Sequence, residues 1–282
     1  MLIRVGYVVG YHLNQPTPMV FMANIHESEA AKAIVEEKVA FSPTVPLRRY
    51  IDLFGNKCVR ITAPAGEFRI IGHAVMADSG LPETFPIGAA ETALTDLPDE
   101  ALVYLMPSRF CESDLLMQAA WDLFGKTEPG WARAHAISTF ANQRIVFDYS
   151  AARPTKSALD AYNERQGVCR DYAHLTIALC RAMNIPARYV SGYLSDIGVP
   201  PRPPMDFSGW AEVFLDGAWH TLDARSNFPR IGRFVMARGR DAGDVAFSTS
   251  FGSADLIQFE VWTEQVSDVE ALSVPNALAL AA

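Results

Sequence analysis

The chain has 282 residues, half of them hydrophobic, and a formal net charge of -8 from 24 Lys+Arg against 32 Asp+Glu. That length buries a sizeable core and fits two domains on the loose prior of about 150 residues each. The acidic balance, with no run of Lys or Arg, speaks against a nucleic-acid partner, and no stretch approaches the roughly 18 consecutive apolar residues of a membrane span.

The N-terminus MLIRVGYVVGY lacks a long apolar segment with a small-residue cleavage site, so export is not signalled and a cytoplasmic location is the expectation. The four cysteines, Cys58, Cys111, Cys169 and Cys180, lie at irregular spacing with no CxxC pair, which disfavours both a disulfide framework and a structural zinc site. No glycine-rich phosphate loop and no zinc-like histidine pair is present, so no cofactor is expected.

Residues 3 to about 77 read mostly as strands. Ile3, Val5, Tyr7 and Val9 alternate with other residues, and a second run follows Pro16 and Pro18. Arg49-Tyr-Ile-Asp-Leu53 leads through Phe54-Gly55-Asn56 into Lys57-Cys-Val-Arg-Ile-Thr62, a hairpin signal, and Glu67 to Met76 makes another strand. Short strands punctuated by turn residues suggest an antiparallel β-sandwich-like module over residues 1–97. Within it, residues 28–39 have helical composition but also fit a loop with a short helix. His12, His26 and His73 stand singly and read as structural or surface residues.

Leu81 to Leu97 carries prolines and glycine without a sustained period and reads as the connection to a second part, residues 98–282. There Ser113 to Phe124 looks like a helix with an acidic first turn, and Pro129 to Asn142 like another with its proline near the start. Next comes Arg165 to Leu194. Apolar residues recur at helical spacing after Cys169 (Tyr172, Leu175, Leu179, Met183), which puts Cys169 in the first turn of a largely buried helix that stops at Asn184-Ile185-Pro186. Unpaired N–H groups and the positive end of the helix dipole favour thiolate there. Arg170 and Asp171 beside it read as local ion-pair or helix-terminus residues. Cys111 and Cys180 read as core filler; Cys180 shares a helix face with Cys169 but lies about 16 Å along the axis, beyond disulfide reach.

Two strands, Trp210–Leu215 and Ala218–Asp223, flank Asp216-Gly217, the strongest hairpin turn in the chain. A two-residue loop pairs Leu215 with Ala218 and Phe214 with Trp219, so Ser208, Trp210, Glu212, Thr221 and Asp223 share one face and His220 takes the other. Helices preceding strands give an α+β class for this part.

The segments GVCRDYAHL, NIPARYVSGYL and DFSGWAEVFLDGAWHTLDAR together resemble the transglutaminase-like superfamily, specifically bacterial members described as cysteine proteases. The resemblance extends to 104–116, to 153–155 and to the arginine-rich stretch 229–245. It implies an N-terminal β module followed by a papain-like α+β core with a Cys at a helix start and a His and an Asp on adjacent strands. Carried over residue by residue, the nucleophile falls on Cys169 and the acidic member on Asp223. At the basic position this chain has Ser208, in Ser208-Gly209-Trp210, where active relatives have His. A hydroxyl neither takes up a proton near neutrality nor protonates a leaving amine. His174 lies about 140° round the helix from Cys169, and His135 has nothing local in its favour. Two readings follow from the resemblance: a thiol hydrolase or acyl transferase acting on a peptide or other amide, or a catalytically silent homologue that binds a peptide or protein in the same cleft. Arg238-Gly239-Arg240-Asp241 either closes the domain over the sheet or forms a solvated charged turn.

Overall fold

Ile3, Val5, Tyr7 and Val9 are all buried in β1 (Leu2–Leu13), and the strand is buried on both faces over most of its length. In the computed structural model, which describes residues 1–201 and 204–267, five more strands follow. They are β2 (Thr17–Phe21), β3 (Ala33–Ser42), β4 (Leu47–Ile51), β5 (Lys57–Ala63) and β6 (Gly66–Ala77). The expected hairpin through Phe54-Gly55-Asn56 is β4 and β5, with Ile51 opposite Lys57. Residues 28–39 depart from their composition. Only Glu27–Lys32 forms a short 3₁₀ turn, and the rest belongs to β3 because pairing with β6 outweighs a weak local helix preference.

After an irregular connection come α1 (Asp99–Leu102), α2 (Met117–Phe124), α3 (Trp131–Arg144), β7 (Val146–Phe147), α4 (Ala158–Glu164), β8 (Gln166–Gly167) and α5 (Cys169–Ala182). The second of these starts later than its acidic residues suggested, since 113–116 form turns. Four strands complete the core: β9 (Ala187–Leu194), β10 (Ser208–Leu215), β11 (Ala218–Leu222) and β12 (Arg233–Gly239), in the antiparallel order β11-β10-β9-β12. Leu215 pairs with Ala218, Phe214 with Trp219 and Glu212 with Thr221, the register expected from Asp216-Gly217. Both turn residues have positive φ, 50° and 75°, as such a two-residue turn requires.

The chain then returns to its beginning. β13 (Ser248–Ser250) pairs with β2 and β14 (Asp255–Val266) with β1, so two sheets of order β14-β1-β6-β3 and β13-β2-β5-β4 pack around one apolar core. The N-terminal β module thus includes strands from residues beyond 247, within the 98–282 segment assigned to the core by sequence.

A second apolar core surrounds α5, whose Leu175, Ile177, Ala178 and Leu179 are fully buried against α2, α3, α4 and the sheet residues Ala187, Ala211, Val213 and Leu215. Tyr193 of β9, Phe234 and Met236 join the sandwich core instead, so the two units share a packed boundary. Cys111 and Cys180 are buried filler, as expected. The 238–241 stretch is structural: Arg238 binds Glu212, the buried Asp241 accepts the Phe110 and Gly243 N–H groups, and the Arg240 carbonyl accepts from the buried Arg181 guanidinium. Among the described residues no helix is long and apolar enough to cross a membrane.

Candidate active site

Cys169 is the first residue of α5 and is half-buried. Asp171, wholly buried, accepts the Val168 N–H at 2.9 Å and ties down the helix start. Arg170 donates to the Arg153 carbonyl and has its Nε 3.8 Å from Asp171 Oδ1. The side chain of Cys169 turns toward β10. The ladder between β10 and β11 ends at Ala211, so residues 208–210 have no strand partner on that side, and the Gly209 N–H meets the Cys169 sulfur together with the N–H of Arg170.

Residue 209 has to be glycine at this approach. A Cβ there would stand 2.1 Å from the Tyr189 hydroxyl, so the missing side chain is what lets the Tyr189 phenol lie along the strand beside the thiol. Tyr189 and Ser191 face α5, as the pairing Gly209–Ser191 requires.

The sulfur opens into a cleft of about 510 Å³ whose walls include Pro154, Tyr189, Asp206, Phe207, Ser208 and Phe247, at the boundary between the two units. Behind Asp206 and Ser208 a narrower recess continues toward Tyr149, Arg225 and Arg230. Ser208 borders both spaces, is 6% exposed, and its hydroxyl makes no hydrogen bond among the described residues. By strand alternation it shares the face of Trp210 and Glu212, opposite the face that Gly209 presents to α5.

The electrostatics differ from the sequence expectation. Burial raises the Cys169 thiol above its ordinary pKa, outweighing the Arg225 charge and the two N–H groups that favour thiolate, and nearby Asp206 adds to the rise. Burial likewise raises the Asp206 carboxyl, against the lowering effect of the Phe207 N–H and Arg225. The helix terminus is therefore a weaker influence than desolvation.

Asp223 does not line the thiol cleft. It borders a separate cavity of about 160 Å³ with His135, Ser138 and His220. Its carboxylate accepts from Arg233 Nη2 at 2.9 Å and from the N–H groups of Arg225 and Ser226 at 3.1 and 3.2 Å. Burial alone would raise its pKa, but Arg233 and these bonds hold it below the usual carboxylate value. Arg233 also binds Glu83 at 2.8 Å, and its guanidinium lies 4.5 Å from the centre of the Trp210 ring. Of the three residues singled out in sequence, Cys169 and Ser208 both border one cleft, and Asp223 fixes the turn that carries Arg225 toward it.

Sequence reasoning missed Arg225, Asp206 and Tyr189. Arg225 is two residues past Asp223 in a turn that Asp223 caps, and an Asp at a strand end, whose carboxylate can accept the N–H groups two and three residues on, is the local signal for such a turn. Tyr189 had no local signal, because only the pairing of β9 with β10 brings it to the sulfur, and Asp206 reaches the cleft from the loop before β10.

Residues 119–224 match the family model described as Transglutaminase-like superfamily. A Cytophaga hutchinsonii protein whose crystal structure is described as that of a "Putative Cysteine Protease" superposes with a TM-score of 0.82 at 29% identity, over 95% of this chain and 91% of that one. An uncharacterised Mycobacterium leprae protein, ML0607, is 25% identical over 252 residues, 86% of this chain and 90% of its own length. The Mycobacterium tuberculosis protein Rv2569c is 34% identical over 116 residues, 36% of this chain and 37% of its own. With a thiol at the head of α5, an antiparallel sheet packed on that helix and a β-sandwich before it, the chain is similar to the transglutaminase-like superfamily over residues 119–224 and shares the fold of the Cytophaga hutchinsonii protein over most of its length.

Proposed function

We propose that Cys169 is the nucleophile of a cysteine-protease-like acyl transfer on a peptide or protein, passing through an acyl-Cys169 intermediate, with Ser208 at the position where the family has its catalytic His. The observation that carries this reading is the Cys169 sulfur at the head of α5, bonded by the Gly209 N–H and open to a cleft large enough for an acyl group. The Cytophaga hutchinsonii neighbour, whose structure is described as that of a "Putative Cysteine Protease", supports it. The thiol is neutral at pH 7 and attacks through its small thiolate fraction, which Arg225 favours. The Gly209 and Arg170 N–H groups and the Tyr189 hydroxyl are the donors placed to meet the oxyanion that forms beside the sulfur. The test is 4-nitrophenyl acetate followed by peptide mapping. One acetyl group on the peptide containing Cys169, lost in Cys169→Ala, is the expected result; no adduct on a protein whose Cys169 still reacts with iodoacetamide overturns it.

A second reading has its own observation. Asp223 is bonded to Arg233 and no histidine lines the cleft, which favours a site that binds a peptide without turning it over. On that reading Cys169→Ser leaves peptide affinity unchanged and no acyl adduct forms with any donor.

A further inference from the structure

Acyl donors differ in what their leaving group demands. An amide nitrogen departs only after it is protonated, and the side chain that shuttles that proton is worth about 10²–10⁴-fold in rate. A thiolate, whose parent thiol titrates near about 8.5, departs without protonation.

The sequence holds six histidines, and none is on the cleft wall. His12 is exposed on β1, His26 contacts Arg238, His73 is buried in β6, and His174 is buried against Phe110 and Tyr189. His135 and His220 border the Asp223 cavity. Asp206 is the carboxyl on the cleft wall. Once ionised it has no proton to give, and as an acceptor it is a weaker base than the thiolate it would create. The Ser208 and Tyr189 hydroxyls and the Gly209 N–H donate hydrogen bonds but do not exchange protons near neutrality. Ser208 is again informative: a side chain more than nine-tenths buried, without a partner among the described residues, on the cleft wall. Phe207, Phe247 and Pro154 give that wall an apolar part, and Arg153 and Arg170 border it as well, two cations that give up no proton near neutrality.

Resting on the acyl-Cys169 intermediate of that reading, and replacing the peptide amide as its acyl donor, we propose that the donor is a thioester. The Cys169 thiol releases its proton to solvent, its sulfur bonds to the carbonyl carbon, and the oxyanion meets the donors beside the sulfur. The original C–S bond then breaks, its electron pair leaves on the donor's thiolate, and that thiolate takes a proton from water. A primary amine discharges the acyl group. Its own lone pair attacks, its surplus proton passes to solvent, and the Cys169 thiol is regenerated. Nothing is oxidised or reduced, and one thiol is released for each amide formed. Water is the poorer acceptor because it needs a base to activate it.

The experiment compares the thiobenzyl ester and the benzylamide of N-acetylphenylalanine with the full-length protein, using N-acetylcysteine as the uncatalysed reference. The expected result is benzyl mercaptan release at least about 10²-fold faster than with N-acetylcysteine, an acyl group on Cys169 by mass spectrometry, and no cleavage of the benzylamide. Ser208→His, which puts a proton-shuttling side chain on the cleft wall, is expected to add benzylamide cleavage that the wild-type protein lacks. Wild-type cleavage of the amide at a rate comparable to the thioester overturns the proposal. So does failure of the thioester to acylate a Cys169 that still accepts acetyl from 4-nitrophenyl acetate. Thioester turnover that survives Cys169→Ala instead removes the acyl-Cys169 reading beneath it.

Discussion

Two cavities flank the β10–β11 hairpin, and they handle charge in opposite ways. On the thiol side, Arg225 and Asp206 approach the sulfur, yet neither forms a salt bridge within ion-pair distance among the described residues, and the Arg225 Nε is buried with no partner. On the far side, Asp223 is bonded by one guanidinium and two backbone N–H groups, and that guanidinium is shared with Glu83. A buried ion pair held by hydrogen bonds on both members contributes structure, and removing one member leaves a charge stranded. The acid that family resemblance assigns to a catalytic triad therefore acts here as the clamp of a turn, while the groups free to respond to a ligand gather around Cys169 and Ser208.

The largest expected effect tests the clamp. Asp223→Ala should destabilise the protein by about 3–5 kcal/mol, because Arg233 is buried and keeps only Glu83. Scanning calorimetry should show Tm falling on the order of 10 °C. Cys169→Ser, by contrast, should change Tm little while eliminating every acyl adduct. An Asp223→Ala protein with unchanged Tm and lost reactivity would invert the roles of the two cavities.

A smaller effect tests how the thiol side is built. Gly209→Ala pushes a methyl group against the Tyr189 hydroxyl, and overpacking of this kind costs about 1–3 kcal/mol. Either the phenol or the strand must move, and the Gly209 N–H moves with it. Iodoacetamide labelling of Cys169 should slow along with the loss in Tm. A stability loss with unchanged labelling would separate the glycine from the site.

The same contrast explains what could be read from sequence. Asp216-Gly217 dictates the hairpin register on its own, since both residues adopt positive φ and each pairing counts outward from them. The helical spacing after Cys169 likewise places that residue at the helix head. Local patterns could not show β14 pairing with β1, a contact across most of the chain, or the strand state of 33–42, which β6 imposes. Nor could they show that burial outweighs the helix terminus at the thiol, because desolvation depends on Phe207, Phe247 and Tyr189, which reach the site only after folding. The commitment of Asp223 to Arg233 was not legible, since Arg233 belongs to a strand not adjacent to β11.

The smallest effect is the most discriminating. Arg225 lowers the Cys169 pKa and Asp206 raises it, with burial the larger cause. Labelling of the wild-type thiol should therefore rise about tenfold per pH unit from pH 7 and pass the ordinary thiol range without a plateau, since below its raised pKa the thiolate fraction grows with pH. Arg225→Gln removes the favourable charge and should slow labelling at pH 7.5 by about two- to tenfold. Asp206→Asn removes the unfavourable one and should speed it by a similar factor, partly offset because a thiolate of lower pKa is less nucleophilic. Both variants should converge on wild type at pH values above the thiol pKa, where the thiolate is fully formed in all three. If Asp206 instead took up the Cys169 proton, Asp206→Asn would slow the reaction, so the sign of that one change distinguishes a bystander charge from a base.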